Sequence, residues 1–260
     1  MNQQLFSKIS GQGHPLIILH GLLGTSDNWQ TIANQMSANF TVCLLDLRNH
    51  GRSFHSDIFN YDAMVEDVIY FMESHWIQSA DFIGHSMGGK VAMHLALREP
   101  DLLNKLIVAD IGVKNYPPGH LIIFEALRGL DLKTLPNRKS AQDFLMEKLH
   151  DHGVVQFLLK NLTREKDGGF SWKMNLDGII DNYTNIMAGL NTNQTFTKPT
   201  LFVKGANSNY ILNEDQTDIL HFFPDALFET IPEAGHWLHA DQPQIFTKVC
   251  TDFLLKGTDV

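Results

Sequence analysis

Residues 84–88 read Gly-His-Ser-Met-Gly, straight after the apolar run Ala-Asp-Phe-Ile and straight before a helix-like stretch over 87–100. A strand, then Gly-x-Ser-x-Gly, then a helix makes a turn sharp enough to lift a serine hydroxyl to its tip. The residues flanking such a turn crowd one another, and Gly84 and Gly88 relieve the crowding because they lack a Cβ. Ser86 therefore reads as a nucleophile at a helix N-terminus, whose dipole favours developing negative charge.

A serine hydroxyl needs a base. For this turn the chain order is serine, acid, histidine. His236, in Glu-Ala-Gly-His-Trp-Leu-His, follows the last strand-like segment and is the candidate base, with Gly235 giving its backbone freedom. His239 is the nearby rival. His85 adjoins the serine but points away from it on the elbow, and reads as packing. A developing oxyanion needs two backbone N–H donors. Met87, the residue after the serine, offers one. Leu22, in the loop His-Gly-Leu-Leu-Gly after the first parallel strand, is placed to offer the other, with His20 ordering that loop. The acid is harder to find. Its common place is the loop after Thr-Leu-Phe-Val-Lys-Gly, which here reads Ala-Asn-Ser-Asn-Tyr-Ile and carries Asn207 or Ser208 instead of a carboxylate. Asp215 and Asp218 lie too far along. One strand earlier, Lys-Leu-Ile-Val-Ala-Asp closes on Asp110, which is placed to reach the histidine loop. A helix-capping role for Asp110 is the competing reading.

These residues need a frame. Near-continuous apolar segments at 16–20, 41–47, 80–84, 105–110, 199–205 and 226–231 alternate with helix-like segments at 28–40, 61–76, 87–100, about 213–222 and about 243–255. That alternation predicts an α/β fold, a mostly parallel sheet with helices on both faces. Residues 111–197 break the rhythm with three helix-like stretches and the charged turn Thr-Arg-Glu-Lys-Asp-Gly-Gly-Phe-Ser-Trp. An insertion of this size between strands predicts a helical lid at the strands' C-terminal edge, inserted in a core made of 1–110 and 198–260. Its apolar segments suggest an acyl pocket lined by Phe124 and Phe157, although simple packing onto the body accounts for the same pattern. The lid has ten Lys/Arg against nine Asp/Glu. It would tolerate an anionic substrate such as an acyl-CoA better than the acidic body, though a solvated charged face is the plainer reading.

Gly-His-Ser-Met-Gly-Gly-Lys, His-Gly-Leu-Leu-Gly, Asp-Leu-Arg-Asn-His-Gly-Arg-Ser, Val-Val-Gln-Phe-Leu-Leu-Lys-Asn-Leu, Gly-Ala-Asn-Ser-Asn-Tyr-Ile and Ala-Gly-His-Trp-Leu-His-Ala together resemble the YbfF-type bacterial esterases of the α/β-hydrolase superfamily. The likeness runs over nearly the whole chain and is weakest across the lid. Asn209 stands where related chains tend to have proline. The resemblance implies esterase or acyl-CoA thioesterase activity with Ser86, Asp110 and His236 as the triad.

The bulk properties agree. A net charge of −9 over 260 residues argues against nucleic acid or an anionic membrane as partner. Apolar runs are too short to span a bilayer, and the N-terminus lacks the pattern of a signal peptide. Cys43 and Cys250 read as buried reduced thiols, which fits a cytoplasmic setting. Thirteen histidines show no metal-ligand spacing, and the chemistry requires no metal or organic cofactor. The expected function is hydrolysis of a small-molecule carboxylic ester or acyl-CoA thioester through an acyl-enzyme. A C–C bond hydrolase or lyase of the menaquinone-pathway type is the alternative, though such enzymes usually place the acid on the later loop. A non-catalytic binding protein of the same fold is the third reading.

Overall fold

The structure is a computed structural model that describes residues 3–166 and 168–256. Asp167, in the charged turn of the insertion, lies outside them. The first half of the chain lays down β1 (Ser7–Ser10), β2 (His14–Leu19), α1 (Gln30–Met36), β3 (Phe40–Leu45), α2 (Tyr61–Ser74), β4 (Ala80–His85), α3 (Met87–Arg98) and β5 (Leu103–Ala109). An insertion follows, with α4 (Leu121–Arg128), α5 (Arg138–Leu149), α6 (His152–Leu159), β6 (Leu162–Arg164), β7 (Phe170–Trp172), α7 (Leu176–Asp181) and α8 (Tyr183–Met187). The chain then returns through β8 (Thr200–Gly205), α9 (Asp215–Phe222), β9 (Ala226–Ile231), α10 (Leu238–Asp241) and α11 (Pro243–Leu255).

Seven strands form one sheet in the order β1-β3-β2-β4-β5-β8-β9. Only β1 runs antiparallel to its neighbour. Every residue of β4 is buried, because helices cover both faces of the sheet. One core holds α2 and α3 together with the insertion; the other is built on α1 and α11. The chain passes outward from β2 to β3, then jumps back past β2 to β4. The loops leaving β2 and β4 therefore diverge at the sheet's C-terminal edge, and such a switch point opens the crevice where α/β folds bind ligands. The oxyanion-loop candidate follows β2 and the elbow follows β4.

Several elements differ from the sequence expectation. The helix expected over 28–40 is a 3-10 turn at Ser26–Trp29 followed by α1. Strand β1 gave no warning, since Ile9, its one large apolar residue, is exposed. In the insertion α4, α5 and α6 match the three helix-like stretches. Helices α7 and α8 and the β6–β7 hairpin were not anticipated, being too short to show a period. The hairpin pairs only with itself among the described residues and adds no strand to the main sheet. Among the described residues no helix is long and apolar enough to cross a membrane.

Candidate active site

Ser86 sits at the tip of the turn between β4 and α3 with φ 51° and ψ −119°. A non-glycine residue there stores on the order of 1–3 kcal/mol of strain. The turn is held because the Ser86 N–H donates to Ala109 O at 3.0 Å and its carbonyl accepts from the Lys90 N–H at 3.1 Å. The two glycines serve different contacts. A Cβ on Gly84 would lie 2.4 Å from Gly88 O, across the turn as expected. A Cβ on Gly88 would lie 2.4 Å from Leu19 O and 2.6 Å from His20 O, so this glycine is needed to seat α3 against β2.

Asp110 follows β5 with φ 51° and is fully buried. Its carboxylate accepts from His236 Nδ1 at 2.7 Å, from the Gly205 N–H at 3.1 Å and from the Ser208 hydroxyl. The helix-cap reading of Asp110 has no support here, because its carboxylate faces the histidine and β8. The loop after β8, empty of carboxylates, thus supplies a donor to the carboxylate of the preceding strand. Asp215 is engaged elsewhere, accepting from Lys114 Nζ at 2.6 and 2.8 Å.

Three groups hold His236. Asp110 accepts a hydrogen bond from its Nδ1. The Tyr210 ring stacks on the imidazole with centroids 3.8 Å apart and planes 16° from parallel. His85 donates from Nε2 to the His236 carbonyl at 2.8 Å. His85 is thus more than packing, and burial, followed by its neighbours His236 and His239, holds its pKa well below the ordinary value. His239 lies flat on Trp29 at 4.1 Å, and burial takes its pKa down to about 3. Gly235 is not needed as expected: its backbone is not left-handed, and a Cβ there would meet only Asp241 Oδ2, at 3.5 Å.

The loop after β2 is braced by the Asp46–Ser53 segment. His20 donates from Nδ1 to Gly21 O at 2.8 Å and accepts from the Leu47 N–H at 3.0 Å. The Leu23 N–H donates to His50 Nε2 at 3.1 Å, and the Ser26 N–H to Asp46 Oδ1 at 2.6 Å. Leu22 and Met87 line one cavity, and among the described residues neither backbone N–H has a protein acceptor.

That cavity has a volume of about 440 Å³ and reaches from Ser86 and His236 to Tyr61, Lys90, Tyr116 and Met187. A narrow cleft of about 50 Å³ leaves on the other side, past Trp29, Ile123, Phe157 and Trp237. The two meet at Leu22, Ser86, His120 and His236. Several polar groups in the larger cavity already have partners. Tyr61 donates to Ile186 O and Tyr116 to Tyr210 O, each at 2.6 Å. Lys90 is buried with its ammonium on the carbonyls of Val113, Lys114 and Ala188, and burial lowers its pKa to about 7. The walls left to a ligand are mainly apolar. Phe157 lines the narrow cleft, packed 5.2 Å from Trp237. Phe124 does not line either cavity. It is buried within the insertion, edge-on to Tyr183 at 4.9 Å, and Ile123 is the α4 residue that faces the cleft.

Comparison with known proteins agrees with this fold. Residues 14–243 match the family model for the alpha/beta hydrolase fold. The chain is 34% identical to esterase YbfF of Escherichia coli K12, covering 92% of each chain. It is 37% identical to the sn-1-specific diacylglycerol lipase ABHD11 of Mus musculus, over 92% of this chain and 80% of that one. The solved structure of a marine microorganism esterase superposes with a TM-score of 0.95 at 44% identity, over 96% of this chain and 99% of that one. With a serine elbow at the switch point and relatives of this identity along nearly its whole length, the chain belongs to the α/β-hydrolase family, alongside the YbfF-type esterases.

Proposed function

We propose that the protein hydrolyses carboxylic esters and acyl thioesters in two acyl-transfer steps. Ser86 Oγ attacks the carbonyl carbon while His236 Nε2 takes its proton. Asp110 holds the proton on Nδ1, which leaves Nε2 free to accept, and stabilises the imidazolium. The Leu22 and Met87 N–H groups receive the oxyanion. His236 then protonates the departing alcohol or thiol, and a water deprotonated by the same histidine releases the acid. The observation that carries this reading is the 2.7 Å contact of His236 Nδ1 with a fully buried Asp110, in a cavity wall shared with Ser86.

The 111–197 insertion acts as the lid. The larger apolar cavity suits an acyl chain, and the narrow cleft suits the other half of the substrate. The buried thiols Cys43 and Cys250 suit a cytoplasmic enzyme. A fluorophosphonate probe tests the mechanism: it should label Ser86, and Ser86→Ala should abolish both labelling and hydrolysis. Labelling at another serine would overturn it. A panel of p-nitrophenyl esters, acyl-CoAs and a diacylglycerol (the ester class in the ABHD11 name) ranks the substrates.

A further inference from the structure

Among the described residues, one side chain of the insertion hydrogen-bonds to the oxyanion loop. Asn161, just beyond α6, is buried, and its Nδ2 donates to Leu23 O at 2.8 Å. It is fixed there through its own backbone, whose N–H donates to Leu158 O at 3.0 Å and whose carbonyl accepts from Lys173 N at 2.9 Å. Leu23 itself is left-handed, with φ 60°. Leu23 O belongs to the same peptide group as the Gly24 N–H, and that N–H donates to Gly21 O at 2.9 Å. Gly21 O in turn shares a peptide group with the Leu22 N–H. A trans peptide is planar, with its C=O and N–H pointing in opposite directions. The Asn161 amide, the 23–24 peptide and the 21–22 peptide therefore form one hydrogen-bonded chain that ends on the Leu22 N–H.

We propose that Asn161 is a positioning residue for the oxyanion hole. As first donor of this chain it aims the Leu22 N–H and, because successive hydrogen bonds polarise one another, strengthens it as a donor. Correct closure of the insertion and the stabilisation of negative charge at the serine are then coupled through one side chain. This inference rests on the proposed role of Leu22. Losing a whole oxyanion donor costs about 10²–10³ in kcat, so weakening one is expected to cost about tenfold.

The test uses Asn161→Leu, alike in branching and without a donor, beside the native protein. Each is measured for kcat and KM on a short p-nitrophenyl ester and for inhibition by an alkyl trifluoromethyl ketone. Ser86 Oγ adds to that ketone's carbon, the Ser86 proton passes to His236, and the carbonyl pair becomes an alkoxide in the oxyanion hole. The expected result is a kcat lower by about tenfold, KM changed by no more than about twofold, and ketone affinity lower by the same factor as kcat. Unchanged kcat and ketone affinity would overturn the inference. So would a rise in KM with ketone affinity intact, which is what loosened packing of the insertion produces. If Asn161→Leu yields little folded protein, Asn161→Ala, which loses the donor without adding bulk, is read by the same ratio per folded molecule. Failure of the native protein to bind the ketone would count against the hydrolytic mechanism itself, a result separate from any difference at position 161.

Discussion

Replacing Asp110 by asparagine is the sharpest test of the proposed site. The carboxylate now accepts from three donors: the Gly205 N–H, the Ser208 hydroxyl and His236 Nδ1. An asparagine of the same shape has one acceptor oxygen and one NH₂ group. If the oxygen stays with the Gly205 N–H at the Oδ1 place, the NH₂ takes the Oδ2 place that Ser208 and Nδ1 now share and faces Nδ1 across the present 2.7 Å, and two donors oppose each other. The imidazole escapes by moving its proton to Nε2, where it can no longer accept the Ser86 proton. Loss of a triad carboxylate in this way costs about 10⁴ in kcat, or about 5.4 kcal/mol at 1.36 kcal/mol per factor of ten. The assay is kcat on a p-nitrophenyl ester, with a thermal melt to show that the variant is folded. A folded Asp110→Asn with near-normal kcat would refute the reasoning. A transplant gives a second reading. Ser208 already touches Asp110, so adding Ser208→Asp to Asp110→Asn should restore part of the rate. In the native background Ser208→Asp alone should lower it, because two carboxylates in contact cannot both stay charged cheaply.

Ser208→Ala removes one hydrogen bond to a charged group, a loss of about 1.5–3 kcal/mol that should lower kcat far less than Asp110→Asn does. Stability should fall as the pH falls. Burial takes the pKa values of His50 and His239 down to about 3, so the unfolded chain binds more protons between about 6.5 and 3. The melting temperature should decline across that window, and His239→Phe, which keeps the stack on Trp29, should make the decline shallower. Phe124→Ala should cost about 3–5 kcal/mol of stability with little change in substrate profile, whereas Phe157→Ala should alter the profile. The reverse pattern would return Phe124 to the pocket.

What the chain decides alone is what its local order encodes. The elbow is legible because strand, Gly-x-Ser-x-Gly and helix are contiguous, and the steric demand of that turn acts within a few residues. Most strands of the main sheet are legible because burial on both faces leaves unbroken apolar runs, and the insertion because it interrupts them. Asp110 could be singled out by the lack of a carboxylate after β8, but the same sequence allowed a helix cap. Only the fold, by bringing Asp110 to His236 across 126 positions, separates the two. Other contacts leave no local trace. His85 reaches the His236 carbonyl across 151 positions and Asn161 reaches Leu23 across 138, and no local pattern announces either contact. Phe124 and Ile123 make the same point on one helix. Neighbouring helical positions differ by about 100° in direction, so periodicity separates their faces. Which face meets the cleft is decided by how α4 rotates against Tyr183 and the rest of the insertion, a packing choice made between elements far apart in the chain.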